Sequence, residues 1–222
     1  MPPAAEPAGD GLIPPSPPVL NIPEIRDYQR INAELRALLE AGHRRVRLEG
    51  AEGQRLLVSA LAGDWEATVE IEGRTGPELA ADLEAPGLLV VARGDTADGA
   101  GRGLRAGRLL ILGDAGDAPG AGQAGGLIVV TGAAGHRSGL GQSGGTLALL
   151  GPVGRLAGDR QSGGRIFARR DQLGPHSGRG RRGGSLIELP VDGPIDPEDA
   201  MAWGEVVAAI SPWSDPASLP SP

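Results

Sequence analysis

Several groups of residues in this chain have the types and spacing that chemistry requires. Ser143 lies in Gly141-Gln142-Ser143-Gly144-Gly145, a match to the glycine-x-serine-x-glycine elbow that exposes a nucleophilic hydroxyl, with His136 or His176 as available bases. The elbow needs a helix after the serine, but Leu147-Ala148-Leu149-Leu150 reads as a strand, and Ser162 occupies the same phase without the first glycine. The dinucleotide fingerprint, glycine-x-glycine-x-x-glycine, occurs at Gly120–Gly125, Gly139–Gly144 and Gly178–Gly183. A true fingerprint stands once, between a strand and a helix, so in-phase copies each followed by a strand read as turn chemistry. His43, His136 and His176 lack metal-ligand spacing. The pairs Asp95/Asp98 and Asp114/Asp117 have the oxygen content of a calcium-like cluster, yet aspartate is also a good turn former, and turn duty is the preferred reading. Arg169-Arg170 with Arg179 to Arg182 forms the basic patch. Phosphate or RNA contact is one reading of it. Because all 21 Lys+Arg are arginine, a partner-facing or solvated edge is preferred. No catalytic, cofactor-binding or metal-ligating residue is assigned.

A repeat positions all of these residues. Gly113, Gly132 and Gly151 open consecutive units of 19 residues. Gly116, Gly135 and Gly154 follow at +3, and Gly120, Gly139 and Gly158 at +7. A glycine pair at or next to +12 and +13 precedes each short apolar run: Leu127 to Thr131, Thr146 to Leu150, Arg165 to Arg169. The unit from Gly94 keeps the phase, and the unit from Asp171 regains it after a one-residue slip. Such a period marks a repeat architecture. The unit is too short for a helix pair, and its runs read as strands. At about 3.3 Å per residue, one unit closes a loop roughly 60 Å around, and stacked loops hydrogen-bond about 4.8 Å apart.

The expected fold is therefore all-β: a single-stranded, right-handed parallel β-helix of about six to seven coils, flanked by short N- and C-terminal helices. Leu109, Ile128, Leu147, Ile166 and Leu186 share position +15 and are expected to form an interior column. Gln123, Gln142 and Gln161 share +10, where stacked amides form a ladder. Glycine is accounted for by turns that need positive φ and by coils too tight for a side chain. Each coil buries its apolar face only against neighbours, so both ends need caps.

Composition narrows the class further. A length of 222 residues supports one domain with a real core, and 40% hydrophobic against 2% aromatic residues makes that core aliphatic. The 38 glycines and 20 prolines would indicate disorder if they had no period. No cysteine is present, which excludes disulfides, thiolate nucleophiles and thiolate-held iron–sulfur clusters. A net charge of −7 argues against bulk nucleic-acid binding. Nothing resembles a signal peptide or an 18-residue apolar span, so a cytoplasmic protein without a membrane partner is expected.

The expected organisation starts with a disordered proline-rich lead over 1–21 and a capping helix over 22–43. That helix opens on an Asn21/Glu24 capping box, aligns Ile31, Leu35 and Leu38 on one face, and stops at Gly42. The β-helix follows over 44–190, its first two coils irregular at about 23 and 21 residues. Over 191–222 come a helix from Asp196-Pro197 to about Ile210, packing through Met201, Val207 and Ile210, and a loose tail.

Gly113-Asp114-Ala115-Gly116-Asp117-Ala118-Pro119-Gly120 resembles the signature of the C-terminal β-helix (GXGXG) domain of the glutamate synthase large subunit. Gly94 to Gly101 followed by Leu110 to Asp117 is similar to stand-alone forms of that domain, as in split glutamate synthases and N-methylglutamate synthase. The module also resembles the β-helical subunit of formylmethanofuran dehydrogenase and its counterpart in the bacterial formyltransferase/hydrolase complex. The resemblance covers roughly residues 24 to 190. It implies a non-catalytic scaffold subunit with no cofactor in this chain. Amidotransferase-like and FMN-binding glutamate synthase-like partners would carry the cysteine nucleophile, the FMN and the iron–sulfur cluster. The Ile25–Leu39 helix followed by Gly53-Gln54-Arg55 favours this side over the one-carbon complex. The rival from the enzyme class is a short-chain esterase using Ser143.

Overall fold

A run of aliphatic residues between glycine turns can bury both its faces only if something covers each side. One side here is the lumen of a coil, and the other is a helix. The computed structural model describes residues 16–189 and 195–213. Its elements are β1 (Val19–Asn21), α1 (Ile22–Ile25), α2 (Tyr28–Glu40), β2 (Arg45–Glu52), β3 (Ala67–Arg74), β4 (Glu84–Ala92), β5 (Ala106–Ile111), β6 (Leu127–Val130), β7 (Ser143–Leu149), β8 (Ser162–Arg169), β9 (Gly183–Leu189) and α3 (Pro197–Ile210). The nine strands pair in chain order, every pair parallel. That is a parallel β-solenoid of about 7 turns.

The register confirms the repeat. Val46 pairs with Val69 and Val69 with Val90, steps of 23 and 21 residues. From Val90 the chain runs through Leu109, Ile128, Leu147 and Ile166 in steps of 19, then takes a step of 20 to Leu186. The column from Val46 to Ile166 is fully buried, and Leu186 at its end is partly buried. A second face is held by single bridges stacked Thr75–Thr96–Ala115–Ala134–Val153–Leu173. The filling of the lumen also changes along the stack. The early coils fill it with Leu57, Leu61, Leu79 and Leu83, while the 19-residue coils place Ala100, Ser138 and Ala157 inward.

Both flanking helices pack, each in its own way. The expected single helix over 22–43 is two. The Asn21 amide donates to the Glu24 carboxylate (3.0 Å) rather than capping backbone, Arg26 turns to φ +59°, and Asp27 caps α2 by accepting from Gln29 N–H. The buried stripe of α2 is Ile31, Leu35 and Leu39, with Leu38 only partly covered. This stripe closes the N-terminal end of the stack. Asn32 completes the closure, donating to the Leu56 carbonyl (2.8 Å) and accepting from Val58 N–H (2.8 Å), backbone groups that have no coil beneath them. Val19–Asn21, expected in the disordered lead, pairs instead with Arg47–Glu49. Residues 1–15 of that lead, and 190–194 and 214–222 of the C-terminal segment, lie outside the described residues.

Helix α3 runs back along the outer face of the sheet. Trp203, Val206, Ala209 and Ile210 cover Val91, Leu110, Val129, Ala148 and Phe167, and Trp203 meets the Phe167 ring at 5.3 Å between centroids. Its 14 residues span about 21 Å, close to the four coil spacings from β4 to β8. Met201, expected to pack, is 81% exposed, because it falls on the opposite side of the helix from Trp203 and Val206. The strand runs therefore bury both faces instead of alternating.

Candidate functional site

The residues singled out for chemistry are used in stacking. Asp95 Oδ1 accepts from Asp114 N–H (2.9 Å), and Asp114 Oδ1 from Ala133 N–H (2.7 Å). In parallel, Asp98 Oδ1 accepts from Asp117 N–H (2.8 Å) and Asp117 Oδ1 from His136 N–H (2.7 Å). His136 continues this column, its Nδ1 accepting from Arg155 N–H (3.0 Å). Each carboxylate therefore ties one coil to the next. No group of three or more His, Cys, Asp or Glu is placed to hold a metal ion among the described residues.

Ser143 is exposed at the first residue of strand β7, and its hydroxyl lies 3.5 Å from the Gln123 carbonyl. Ser162 repeats that contact with the Gln142 carbonyl at 3.5 Å. Among the described residues no hydrogen bond joins Ser143 to a histidine, so the elbow geometry is not assembled.

The glycine lattice serves two separate needs. Gly120 and its repeats Gly139 and Gly158 have φ near +67° and form part of an arch in which three left-handed residues alternate with ordinary ones. The arch recurs in every coil: Leu56/Val58/Ala60, Glu78/Ala80/Asp82, Gly99/Gly101/Gly103, Ala118/Gly120/Gly122, Arg137/Gly139/Gly141, Leu156/Gly158/Arg160 and His176/Gly178/Gly180. This explains why the fingerprint spacing occurs in phase. Gly113, Gly116, Gly132, Gly135, Gly151 and Gly154 serve the other need, close approach of coils. A Cβ on Gly132 would sit 2.6 Å from the Gly113 carbonyl oxygen, and on Gly151 2.6 Å from the Gly132 carbonyl carbon.

Inside the coils the amide ladder is present. Gln142 Nε2 donates to Gln123 Oε1 (3.1 Å) and Gln161 Nε2 to Gln142 Oε1 (3.0 Å), all three side chains fully buried. The same amides satisfy glycine-pair carbonyls, as Gln123 Nε2 does for Gly125 (3.0 Å). Gln161 Oε1 ends the ladder without a partner among the described residues. The next register position is Arg181, whose side chain is exposed.

Two features were not anticipated from the sequence. Glu70 is buried on the outer face, paired with Arg45 (2.7 Å) and Arg93 (2.7 Å). Burial raises its carboxyl pKa, but the hydrogen bonds and charges of Arg45 and Arg93 outweigh that and hold it below the usual value. Arg93 also stacks on Trp213, 5.1 Å from the ring centroid, fastening the chain just after α3. The second feature is an open groove of about 850 Å³ at the arches of the later coils. Arg137, Arg160, Arg179 and Arg182 line it with Asp159 and Ser162, over Leu140 and Leu156. A smaller cleft of about 610 Å³ lies between α3 and the glycine pairs.

No protein-family model, curated protein or solved structure matches this chain. No helix among the described residues is long and apolar enough to cross a membrane.

Proposed function

We propose that the chain is a non-catalytic scaffold subunit of a glutamate synthase-like complex, positioning an amidotransferase-like subunit and an FMN-binding one. The carrying observation is that Asp95, Asp98, Asp114, Asp117, His136 and the glutamines are occupied in coil-to-coil hydrogen bonds, while among the described residues no hydrogen bond joins Ser143 to a histidine. The residues that could act on a substrate instead stiffen a rod. Among the described residues β9 pairs only with β8, and Leu186 and Ile187 are only partly buried, which supports a subunit role, since an edge strand leaves backbone groups open to a neighbour. The resemblance of Gly113 to Gly120 to the glutamate synthase repeat supports this assembly, in which FMN and iron–sulfur chemistry would belong to the partners, and a cytoplasmic location is part of the proposal.

The test is a tagged purification from the native cell at moderate salt, with co-eluting chains identified by mass and the visible spectrum recorded. A flavin spectrum together with an N-terminal-cysteine amidotransferase chain supports the proposal. Amidohydrolase and formyltransferase chains without flavin would move the protein to the one-carbon complex. A lone protein whose short-ester hydrolysis disappears in Ser143→Ala would overturn both readings.

A further inference from the structure

The charge of this acidic molecule is divided unevenly. Residues 137–182 hold nine arginines and two aspartates, although the whole chain carries −7. Several of those arginines are paired: Arg165 with Asp199, Arg169 with Asp171 and Arg170 with Glu188. Arg137, Arg160, Arg179 and Arg182, the four lining the groove, have no ion pair among the described residues. The same corner in the early coils is different. There Arg102 pairs with Glu78 (2.9 Å), and Arg105 lies near Asp82 (3.9 Å) and Glu84 (3.7 Å). The fold accommodates neutralising carboxylates at this corner, and the later coils omit them apart from Asp159.

Arg160 supplies an independent sign. It stands at the third arch position with φ +56°, where the other 19- and 20-residue coils place Gly103, Gly122, Gly141 and Gly180. A left-handed backbone disfavours any side chain with a Cβ. Arginine at this position works against both the local conformation and the repulsion of three like charges. Residues that break a local rule without a structural return concentrate at functional sites.

From these observations we infer that the groove is a binding site for a small organic molecule carrying two or more phosphate groups. Guanidinium forks from successive coils, about 4.8 Å apart along the axis, meet phosphate oxygens bidentately. Leu140 and Leu156 provide an apolar floor for the body of the ligand, and the Asp159 carboxylate accepts from its hydroxyl groups. The inference is independent of which complex the chain joins.

The test uses the full chain at 150 mM salt, titrated calorimetrically with fructose 1,6-bisphosphate, inorganic tripolyphosphate, citrate and sulfate. Arg160→Gly is the informative variant, because it restores the glycine of the repeat and should fold at least as well as the parent. Saturable binding of a phosphate probe that weakens tenfold or more in Arg160→Gly, with Tm in the absence of ligand unchanged or raised, is the expected result. Arg179→Ser should weaken it similarly. Equal binding of citrate and sulfate, unchanged affinity in Arg160→Gly, or no binding of either phosphate would overturn the proposal. So would binding of RNA by a chain that ignores both small phosphates.

Discussion

The buried glutamines are tolerable here because their amides bond from coil to coil and to the glycine-pair carbonyls. Gln142 shows this most clearly. Replacing it with leucine removes the donor to Gln123 Oε1 and to the Arg165 carbonyl, and the acceptor for Gln161. With unsatisfied buried groups costing about 1–3 kcal/mol each, Gln142→Leu should lower stability by roughly 2–4 kcal/mol, read as a fall in the urea midpoint at constant m-value. Glu70 makes a pH-dependent contribution of definite sign. Its folded pKa lies below the ordinary value, so the stability it adds is fully present above the unfolded pKa and is lost as pH falls through the folded one. Glu70→Gln should therefore be less stable than the parent at pH 7, by roughly 1–3 kcal/mol, with the gap closing as pH falls below the ordinary glutamate value of 4.5 and through the lowered folded one. A gap that stays constant across urea melts at those pH values would refute this assignment.

At the scale of elements, the coils touch through their glycines and the sheet is covered by α3. Gly132→Ala puts a methyl group against the Asp114 carboxylate and 2.6 Å from the Gly113 carbonyl oxygen, a backbone atom that cannot swing aside as a side chain can. Overpacking of this kind costs about 1–3 kcal/mol, and the thermal midpoint should fall accordingly. Trp203 anchors α3 on Phe167, both fully buried. Trp203→Ala should cost about 3–5 kcal/mol. Hydrogen exchange would then show faster exchange along α3, with the amides of β6 and β7 less affected, because the coils keep their own lumen. Uniform loss of protection would mean that the helix and solenoid fold as one unit.

For the whole molecule, stability is the sum of like interfaces between neighbouring coils, closed at the N-terminal end by α2. A charge in the interior column breaks that sum in the middle. Ile128 sits between Leu109 and Leu147 with no exposure, and a lone carboxylate there has no partner. Ile128→Asp should unfold the chain, seen as loss of the β signature in far-UV circular dichroism. Ile128→Val should cost only about 0.5–1.5 kcal/mol.

Much of this architecture was legible because a stacked coil presents the same environment to each residue once per turn. The aliphatic column through Ile128, the ladder of Gln123, Gln142 and Gln161, the glycines from Gly113 to Gly158 and the 23- and 21-residue early coils follow from that recurrence. What does not repeat was not legible. Neither the split at Arg26, the pairing of Val19–Asn21 with β2, nor the Asn32 clamp on the first arch has an in-phase copy. The course of α3 over Val91 to Phe167 was equally hidden, so Met201 was misassigned to its packing face. The convergence of Arg137, Arg160, Arg179 and Arg182 emerges only when the one-residue slip and the arch geometry place them on one corner. The sequence by itself determined the coil, because its contacts are periodic. Only the tertiary structure decided how the N-terminal cap is clamped, the course of the covering helix and the groove, because those rest on single contacts between residues far apart in the chain.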